Sequence, residues 1–269
     1  MGIAALIALG ILRHLDLARH EPDSAEVLHL QIEAMKLAIV GAAACVCDPG
    51  SMRTGGDELL NPERLRALAE GIDPERAAPV AGALATDRGT VYIAAADAEG
   101  TMVSFIQSNF HGFGSGIVIP GTGISMQNRG AGFSTDPAHP NWRRRRQAPL
   151  PHDHPGVPVP RRPAPRPDRR DGGHMQPRGH VQLVCRMEDF GQSLQEAIDA
   201  PRWHVDEDFG VNLEPGFGAG VARDLEARGH RIVTDHSWTL FGGAWAVLRR
   251  GDSYEGASDP RKDGCAAGY

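Results

Sequence analysis

One stretch of this chain combines two strand patterns, a tight turn and a glycine-rich loop, and it constrains the fold more than any other. Residues 89–97 read GTVYIAAAD and residues 102–107 read MVSFIQ. Between them, Asp97-Ala98-Glu99-Gly100 has the residue types of a hairpin turn. A glycine-rich loop follows at 112–116, and a third apolar run occupies 117–119. The pattern predicts two antiparallel strands, a loop and a third strand.

Three motifs in a fixed order extend this observation to most of the chain. TVYIAAADAEG at 90–100 is followed by FGSGIVIPGTGI at 113–124, and the C-terminal part contains GASDPR at 256–261 and AGY at 267–269. In this order the motifs resemble the γ-glutamyltransferase (γ-glutamyltranspeptidase, or glutathione hydrolase) family of N-terminal-nucleophile (Ntn) hydrolases. The resemblance implies an α/β (α+β) fold, a four-layer αββα sandwich of the Ntn-hydrolase type, here incomplete.

The resemblance assigns the central chemistry to Thr90. In the family the precursor cuts itself before a threonine, which places the cleavage between Gly89 and Thr90. Thr90 also lies seven residues before Asp97, the offset that the family's nucleophile has. A threonine hydroxyl needs an adjacent base, and a freed α-amine titrates near pH 8, so it can act as that base. Without the resemblance, Thr90 would be interpreted as an ordinary strand threonine.

Further site residues follow from the same resemblance. Ser108 aligns with a hydroxyl that orients the nucleophile, and Asn109 stands one position short of a family asparagine in the substrate site. Gly172 and Gly173 align with a pair whose backbone N–H groups form the oxyanion hole, where the absence of side chains allows a close approach. A flexible turn is the alternative interpretation of this glycine pair.

The segment QNRGAGFS at 127–134 departs from the better-known family members. They carry a glutamine or glutamate and then an aspartate, which binds the substrate's α-amino group. At the aligned positions this chain has Arg129 and Gly132. A guanidinium repels an ammonium group and attracts a carboxylate. Arg129 therefore favours an acyl group that bears a carboxylate and no free amine, and a surface arginine paired with a nearby acid is the alternative.

The resemblance also predicts how the chain is divided. Residues 1–89 correspond to the end of the family's large-subunit region with the linker to the cleavage point, and residues 90–269 to the small, catalytic subunit. About half of the family precursor would then lie upstream, including the arginine that grips a glutamyl α-carboxylate. The run 39–47, IVGAAACVC, predicts a loop of small residues or a local change of reading frame.

An Arg- and Pro-rich block at 143–171 interrupts the resemblance. It begins with four arginines and has no apolar periodicity, so it cannot form a central strand. Alone it is typical of a disordered basic linker or a nucleic-acid-binding patch. One permitted set of codons for 150–157, read one base along, encodes an apolar segment like the family's strand. We therefore hypothesise a shifted reading frame within this block.

Composition limits the classes of partner. The net charge of −6 argues against a general nucleic-acid partner, and four cysteines without metal-ligand spacing favour inert thiols. No stretch is expected to have the length and apolarity that span a membrane. The chemistry requires no metal and no organic cofactor. A cytoplasmic location is the default expectation, and a periplasmic or secreted one follows if a leader precedes the chain.

The sequence thus predicts a γ-glutamyltransferase-like amidohydrolase or acyltransferase that acts on a small γ-glutamyl or related carboxyl-bearing amide. Large and small subunits would arise from one precursor. The alternative is a catalytically inactive, truncated or frameshifted remnant of such an enzyme. A third interpretation is a protein that binds nucleic acid through its basic segment, and it rests only on the arginines between 143 and 170.

Overall fold

The structure is a computed structural model of the 269-residue chain. It describes residues 2–79, 90–143, 168–171, 175–206, 208–233 and 238–269, with the backbone alone at 90, 168–171, 238 and 239. The helices are α1 (Gly2–Leu12), α2 (Ala25–Cys45), α3 (Gly56–Leu59), α4 (Pro62–Glu70), α5 (Met175–Glu188), α6 (Leu194–Asp199) and α7 (Ala219–Ala227). The strands are β1 (Thr90–Ala96), β2 (Met102–Ser108), β3 (Asp168–Asp171), β4 (Trp203–Val205), β5 (Val211–Leu213), β6 (Ile232–Val233), β7 (Gly243–Arg250) and β8 (Ser253–Ser258).

The long helix α2 lies at the centre of the larger hydrophobic core. Ser24 caps it by accepting a hydrogen bond from the Val27 amide at 3.3 Å. The helix continues to Cys45, so the predicted loop at 39–47 is wrong over most of its length. Alanine has the highest helix propensity, and Ile39 and Ala42 are buried against the core, which explains the continuation.

The same helix corrects the expectation about membrane-spanning length. With 21 residues, α2 is long and apolar enough to cross a membrane on length and composition. However, 72% of its apolar window is buried inside the protein, against α1, α5 and α7. Such burial is typical of a core helix, since a hydrophobic surface covered by protein does not face lipid.

The strands in the described part of the chain form three small sheets. β1 pairs with β2 as an antiparallel hairpin, β7 lies between β3 and β8, and β5 lies between β4 and β6. The predicted hairpin turn is confirmed, because Asp97 Oδ1 accepts from the Thr101 amide at 2.8 Å and Gly100 has φ of 91°. The predicted third strand at 117–119 is wrong, since a single bridge joins Val118 to Ser125 there.

The Arg- and Pro-rich block is only partly described. Its last four residues form β3, which pairs antiparallel with β7 at the edge of their sheet. The expectation was that the block cannot form a central strand, and β3, the part of the block that the structure describes as a strand, lies at the edge of its sheet. An edge position suits polar residues because one side of the strand faces no partner strand. Residues 144–167 lie outside the described part of the chain.

A buried ion pair joins α6, β4, β7 and the C-terminal motif. Arg202 Nη2 donates to Asp259 Oδ2, and both side chains are almost fully buried. Asp259 Oδ2 also accepts from the Ala244 amide at 2.7 Å, and Arg202 donates to the Phe241 carbonyl at 3.1 Å. The PRW and SDPR motifs are therefore structural, since they close the sheet of β7 and β8 onto α6.

One face of the β1–β2 hairpin is apolar and exposed. We call the side chains of Val91, Ile93, Val103 and Phe105 the outer hairpin face, and 49% to 64% of each is exposed. The paired positions Ile93 and Phe105 lie directly opposite each other. The opposite face contains Tyr92, which is buried, because successive side chains alternate across a strand. Exposed contiguous apolar surface of this kind marks an interaction site.

Candidate active site

The hairpin register brings the predicted nucleophile and its predicted orienting residue together. β1 begins at Thr90 and β2 ends at Ser108, and these two residues are direct Cα partners in the antiparallel pair. The Ser108 hydroxyl accepts a hydrogen bond from the Phe110 amide at 3.0 Å. The Thr90 side chain and Gly89 lie outside the described residues. The hairpin turn therefore sets which residue stands across from Thr90.

The turn after β2 has an unusual backbone. Phe110 has φ of 77°, although only 1% of it is exposed. A non-glycine residue in the left-handed region is strained, and such residues concentrate at functional sites. Asn109, immediately before it, accepts from the Asn128 amide at 3.1 Å through its carbonyl. The side chain of Asn128 in turn accepts from the His111 amide at 2.9 Å.

Arg129 lies against this turn. Its Nη2 donates to the Ser108 carbonyl at 3.2 Å, and its guanidinium carbon lies 5.7 Å from the centre of the Phe110 ring. The electrons of an aromatic ring attract a guanidinium above it, and this attraction helps to hold the Arg129 side chain in position. The structure thus brings Ser108, Asn109 and Arg129 together beside the first residue of β1.

The predicted oxyanion hole lies outside the description. Gly172 and Gly173 are not described, and α5 begins two residues after Gly173, at Met175. One turn into α5, Arg178 is almost fully buried, and burial lowers its pKa to about 10, partly offset by the Asp206 carboxylate. Arg178 therefore remains charged at neutral pH. Sequence reasoning missed it, since an arginine in a helix gives no sign of burial.

An open cleft of about 630 Å³ lies between β1, β7, β8 and the C-terminal tail. Val91 to Ala94, Trp245 and the residues 262–267 line it. Ser108, Asn109 and Arg129 do not line this cleft, so we do not assign the chemistry to it.

Three buried side chains could approach a metal ion. The ligand atoms of His29, Glu33 and His230 all lie within 4.8 Å of one another. However, Lys36 Nζ donates to Glu33 Oε1 at 2.8 Å, and the two histidines hydrogen-bond each other at 2.8 Å. All four imidazole nitrogens thus have hydrogen-bond partners, so neither histidine can bind a metal without losing a hydrogen bond. We interpret the group as a hydrogen-bonded network.

Comparison with known proteins defines the class of the chain. The model of the gamma-glutamyltranspeptidase family matches residues 1–269. The chain therefore belongs to the gamma-glutamyltranspeptidase family.

Three similar proteins refine this assignment. The oxamate amidohydrolase proenzyme of Klebsiella pneumoniae is 36% identical over all of this chain and 52% of its own length. The glutathione hydrolase-like YwrD proenzyme of Bacillus subtilis is 32% identical over 99% of this chain and 52% of its own length. In the cephalosporin acylase crystal structure from Bacillus halodurans, the TM-score is 0.87 and the identity 37%, covering 100% of this chain and 49% of the acylase.

These comparisons confirm the predicted fold class. Solved relatives have the Ntn-hydrolase fold, and the mixed helices and open sheets of this chain form an incomplete version of it. The chain spans about half the length of the curated relatives it matches.

Proposed function

We propose that this chain is the self-processing part of a γ-glutamyltransferase-like amidohydrolase or acyltransferase, with Thr90 as its nucleophile. The observation that carries the proposal is the position of Thr90 at the first residue of β1, opposite Ser108, whose carbonyl accepts a hydrogen bond from Arg129. Names of the relatives support processing, since both curated proteins are proenzymes. Residues 1–89 and 90–269 would then become separate subunits.

The proposed chemistry has two stages. Hydrolysis of the Gly89–Thr90 peptide bond consumes one water and leaves a carboxylate on Gly89 and an α-amine on Thr90. That amine takes the proton of the Thr90 hydroxyl as the oxygen attacks a substrate amide. The C–N bond breaks, the amine product leaves with the proton, and an ester remains on Thr90. Water, or an acceptor amine, then takes the acyl group and restores the hydroxyl.

Other residues would stabilise the oxyanion and orient the reacting groups. The backbone N–H groups of Gly172 and Gly173 donate to the oxyanion that forms during attack. The hydroxyl of Ser108 orients the Thr90 hydroxyl from the opposite strand. Asn109 contributes to the substrate site at the turn after β2. No metal or organic cofactor enters the scheme, because the nucleophile and its base both belong to Thr90.

Arg129 supports a substrate class as well as a reaction. Its half-buried guanidinium offers a partner for a carboxylate, and the aligned positions provide no acid for an ammonium group. The Klebsiella relative is named for oxamate, an amide joined directly to a carboxylate and without an amino group. We therefore propose a small amide that bears a carboxylate and lacks a free α-amine.

We further propose that active enzyme contains the half of the protein that this chain does not span. The outer hairpin face is apolar and exposed, and a two-stranded hairpin is marginal by itself. A polypeptide that corresponds to the other half of the relatives is the occupant we assign to this face. A remnant without such a partner, and without activity, is the competing reading.

Intact-mass measurement and N-terminal sequencing after incubation test the function. We expect a new N-terminus at Thr90 in the wild-type chain, produced alone or together with the other half of the Klebsiella relative, and none in Thr90→Ala. An uncut wild-type chain under both conditions would contradict the proposal and favour the remnant.

The processed protein then allows a test of the substrate class. We expect faster release of ammonia from oxamate than hydrolysis of glutathione. Arg129→Met is expected to lower kcat/KM for oxamate roughly 10- to 100-fold, since a hydrogen bond to a charged group is lost. The exposed Arg66→Met is the matched control. Equal rates for Arg129→Met and wild type would show that this guanidinium does not bind the carboxylate.

A further inference from the structure

Four polar side chains lie together in the core, away from the residues assigned above. His29, Glu33 and Lys36 occupy one face of α2, at spacings of four and three residues, and His230 approaches them from the turn after α7. None of the four is more than 5% exposed. We call this group the relay. Burial of an ammonium and a carboxylate is costly unless both are paired, so the group requires an explanation.

From Lys36 through the two histidines to Asp73, the hydrogen bonds of the relay run in one direction. His29 Nε2 lies 2.8 Å from the Asp73 carbonyl, which can only accept, so Nε2 donates. His29 Nδ1 therefore accepts, and His230 Nε2 donates to it at 2.8 Å. His230 Nδ1 in turn accepts from Lys36 Nζ at 3.4 Å. This order requires His230 to be neutral, and burial, Lys36, His29 and Arg228 lower its pKa to about 3.

The other end of the relay returns to the same stretch of backbone. Lys36 Nζ donates to Glu33 Oε1 at 2.8 Å, and Glu33 Oε2 accepts from the Ala78 amide at 3.0 Å. The relay therefore begins at the carbonyl of Asp73 and ends at the amide of Ala78. Its partners outside the side chains are thus both backbone groups of the segment 73–78.

Arg228 fixes the same segment from the end of α7. Its Nη1 donates to the Pro74 carbonyl at 2.6 Å, and its own carbonyl accepts from the Ala77 amide at 2.7 Å. Its Nη2 donates to Glu26 Oε1 on α2 at 2.7 Å. The segment 73–78 is thus held by groups from α2 and α7 together.

The position of this segment in the chain suggests why it is held. Pro79 follows it, and ten residues, 80–89, then separate Pro79 from Thr90. Cleavage of a peptide bond by a neighbouring group depends on the geometry in which the bond is held. We propose that the relay anchors the upstream end of the self-cleavage segment, so that its members are positioning residues for processing. The inference rests on the proposed function.

Hydrogen exchange in an uncleavable background tests the anchor independently of processing. In Thr90→Ala, the double variant Glu33→Leu/Lys36→Met removes both buried charges and the acceptor for Ala78. We expect the amides of Ala77 and Ala78 to exchange roughly 10-fold faster or more, as for the loss of a hydrogen bond. The exposed ion pair Arg66–Glu70 supplies the matched control, Glu70→Leu/Arg66→Met. Unchanged exchange in the relay variant would overturn the proposal.

Processing gives the second readout. In the wild-type Thr90 background, we expect the relay variant to release the new N-terminus roughly 10-fold more slowly than the control variant, at equal melting temperature. Equal rates would overturn the positioning role. If even the wild type stays uncut, the proposed function fails, whereas the exchange measurement still decides whether the segment is anchored.

A milder variant and a metal-binding control complete the test. Should the double variant not fold, Glu33→Gln keeps the shape and loses the charge, and we expect a smaller increase in exchange in the same direction. A melting temperature of the wild type that rises with Zn²⁺ and falls with a chelator would instead identify the group as a metal site. That result would overturn the relay.

Discussion

At the scale of single residues, His230 gives the chain a pH-dependent stability. Its pKa is lowered from 6.5 to about 3 in the folded chain, chiefly by burial, with Lys36, His29 and Arg228 opposing a positive charge and Glu33 facing it at 4.0 Å. Between these two values the unfolded state binds more protons. The contribution of His230 to the free energy of unfolding is therefore fully present above about pH 6.5. It is lost as the pH falls towards about 3, by up to roughly 1.4 kcal/mol per pH unit.

His230→Gln tests this behaviour, because glutamine keeps one donor and one acceptor but does not titrate. We expect the free energy of unfolding of the variant, measured by urea titration between about pH 4 and about pH 6, to depend less steeply on pH than that of the wild type. The same substitution at the exposed His14 is the matched control. Identical slopes for His230→Gln and wild type would show that His230 does not cause the acid sensitivity.

At the scale of elements, the loop that carries Asn128 and Arg129 depends on one glycine. Gly114 has φ of 77°, and a Cβ there would lie 2.3 Å from the Met126 carbonyl oxygen. Gly116 has a similar φ of 74°, but nothing lies within 4 Å of its Cβ position. We expect Gly114→Ala to lower the free energy of unfolding by roughly 1–3 kcal/mol more than Gly116→Ala does, as measured by denaturant titration.

The paired glycine variants separate two causes. Both replace a glycine in the left-handed region, so the strain of the backbone is common to them, and only Gly114→Ala adds a collision with backbone. Equal losses of stability in the two variants would show that the backbone at Met126 moves away from the new Cβ without a loss of free energy.

Elements with local signals were predictable from the sequence. The hairpin turn at Asp97 has a side-chain hydrogen bond within four residues, so residue type alone indicated it. The end of α2 was missed because Ile39 and Ala42 continue the helix through burial against other elements. The prediction of a strand at 117–119 was wrong, since an apolar run forms a strand only when a partner strand lies beside it.

The candidate site was predictable in part for the same reason. Resemblance indicated Thr90, Ser108 and Arg129. The hairpin register pairs Thr90 with Ser108, and the Arg129 side chain donates to the Ser108 carbonyl. The relay was not predictable, because His29 and His230 are 201 residues apart and meet only through the packing of α7 on α2. The roles of Gly172, Gly173 and Asn109 remain predictions for mutagenesis.

At the scale of the whole molecule, the outer hairpin face is an exposed apolar surface, and the chain spans about half the length of its curated relatives. We expect the isolated chain to bind an apolar fluorescent dye and to self-associate, and Ile93→Ser/Phe105→Ser to reduce both, with a small change in melting temperature. Dye fluorescence and light scattering measure the two effects. Phe113→Ser, at a residue 92% exposed outside the hairpin, is the control.

A polypeptide that completes the fold should compete for the same surface. The part of the Klebsiella relative that this chain does not match is the polypeptide to add. We expect it to suppress dye binding by the wild-type chain and by Phe113→Ser. Persistent dye binding, with the two polypeptides otherwise associated, would place their contact on another surface.

The relay has a consequence for how the segment 73–78 moves. Because it leaves the backbone at Asp73 and rejoins it at Ala78, side chains and backbone together form a closed ring. A ring has no free end from which it can fray, so loss of one link removes the support of the next. The stretch before the cleavage point should thus open in a single all-or-none event of local unfolding, and its amides should share one free energy of opening.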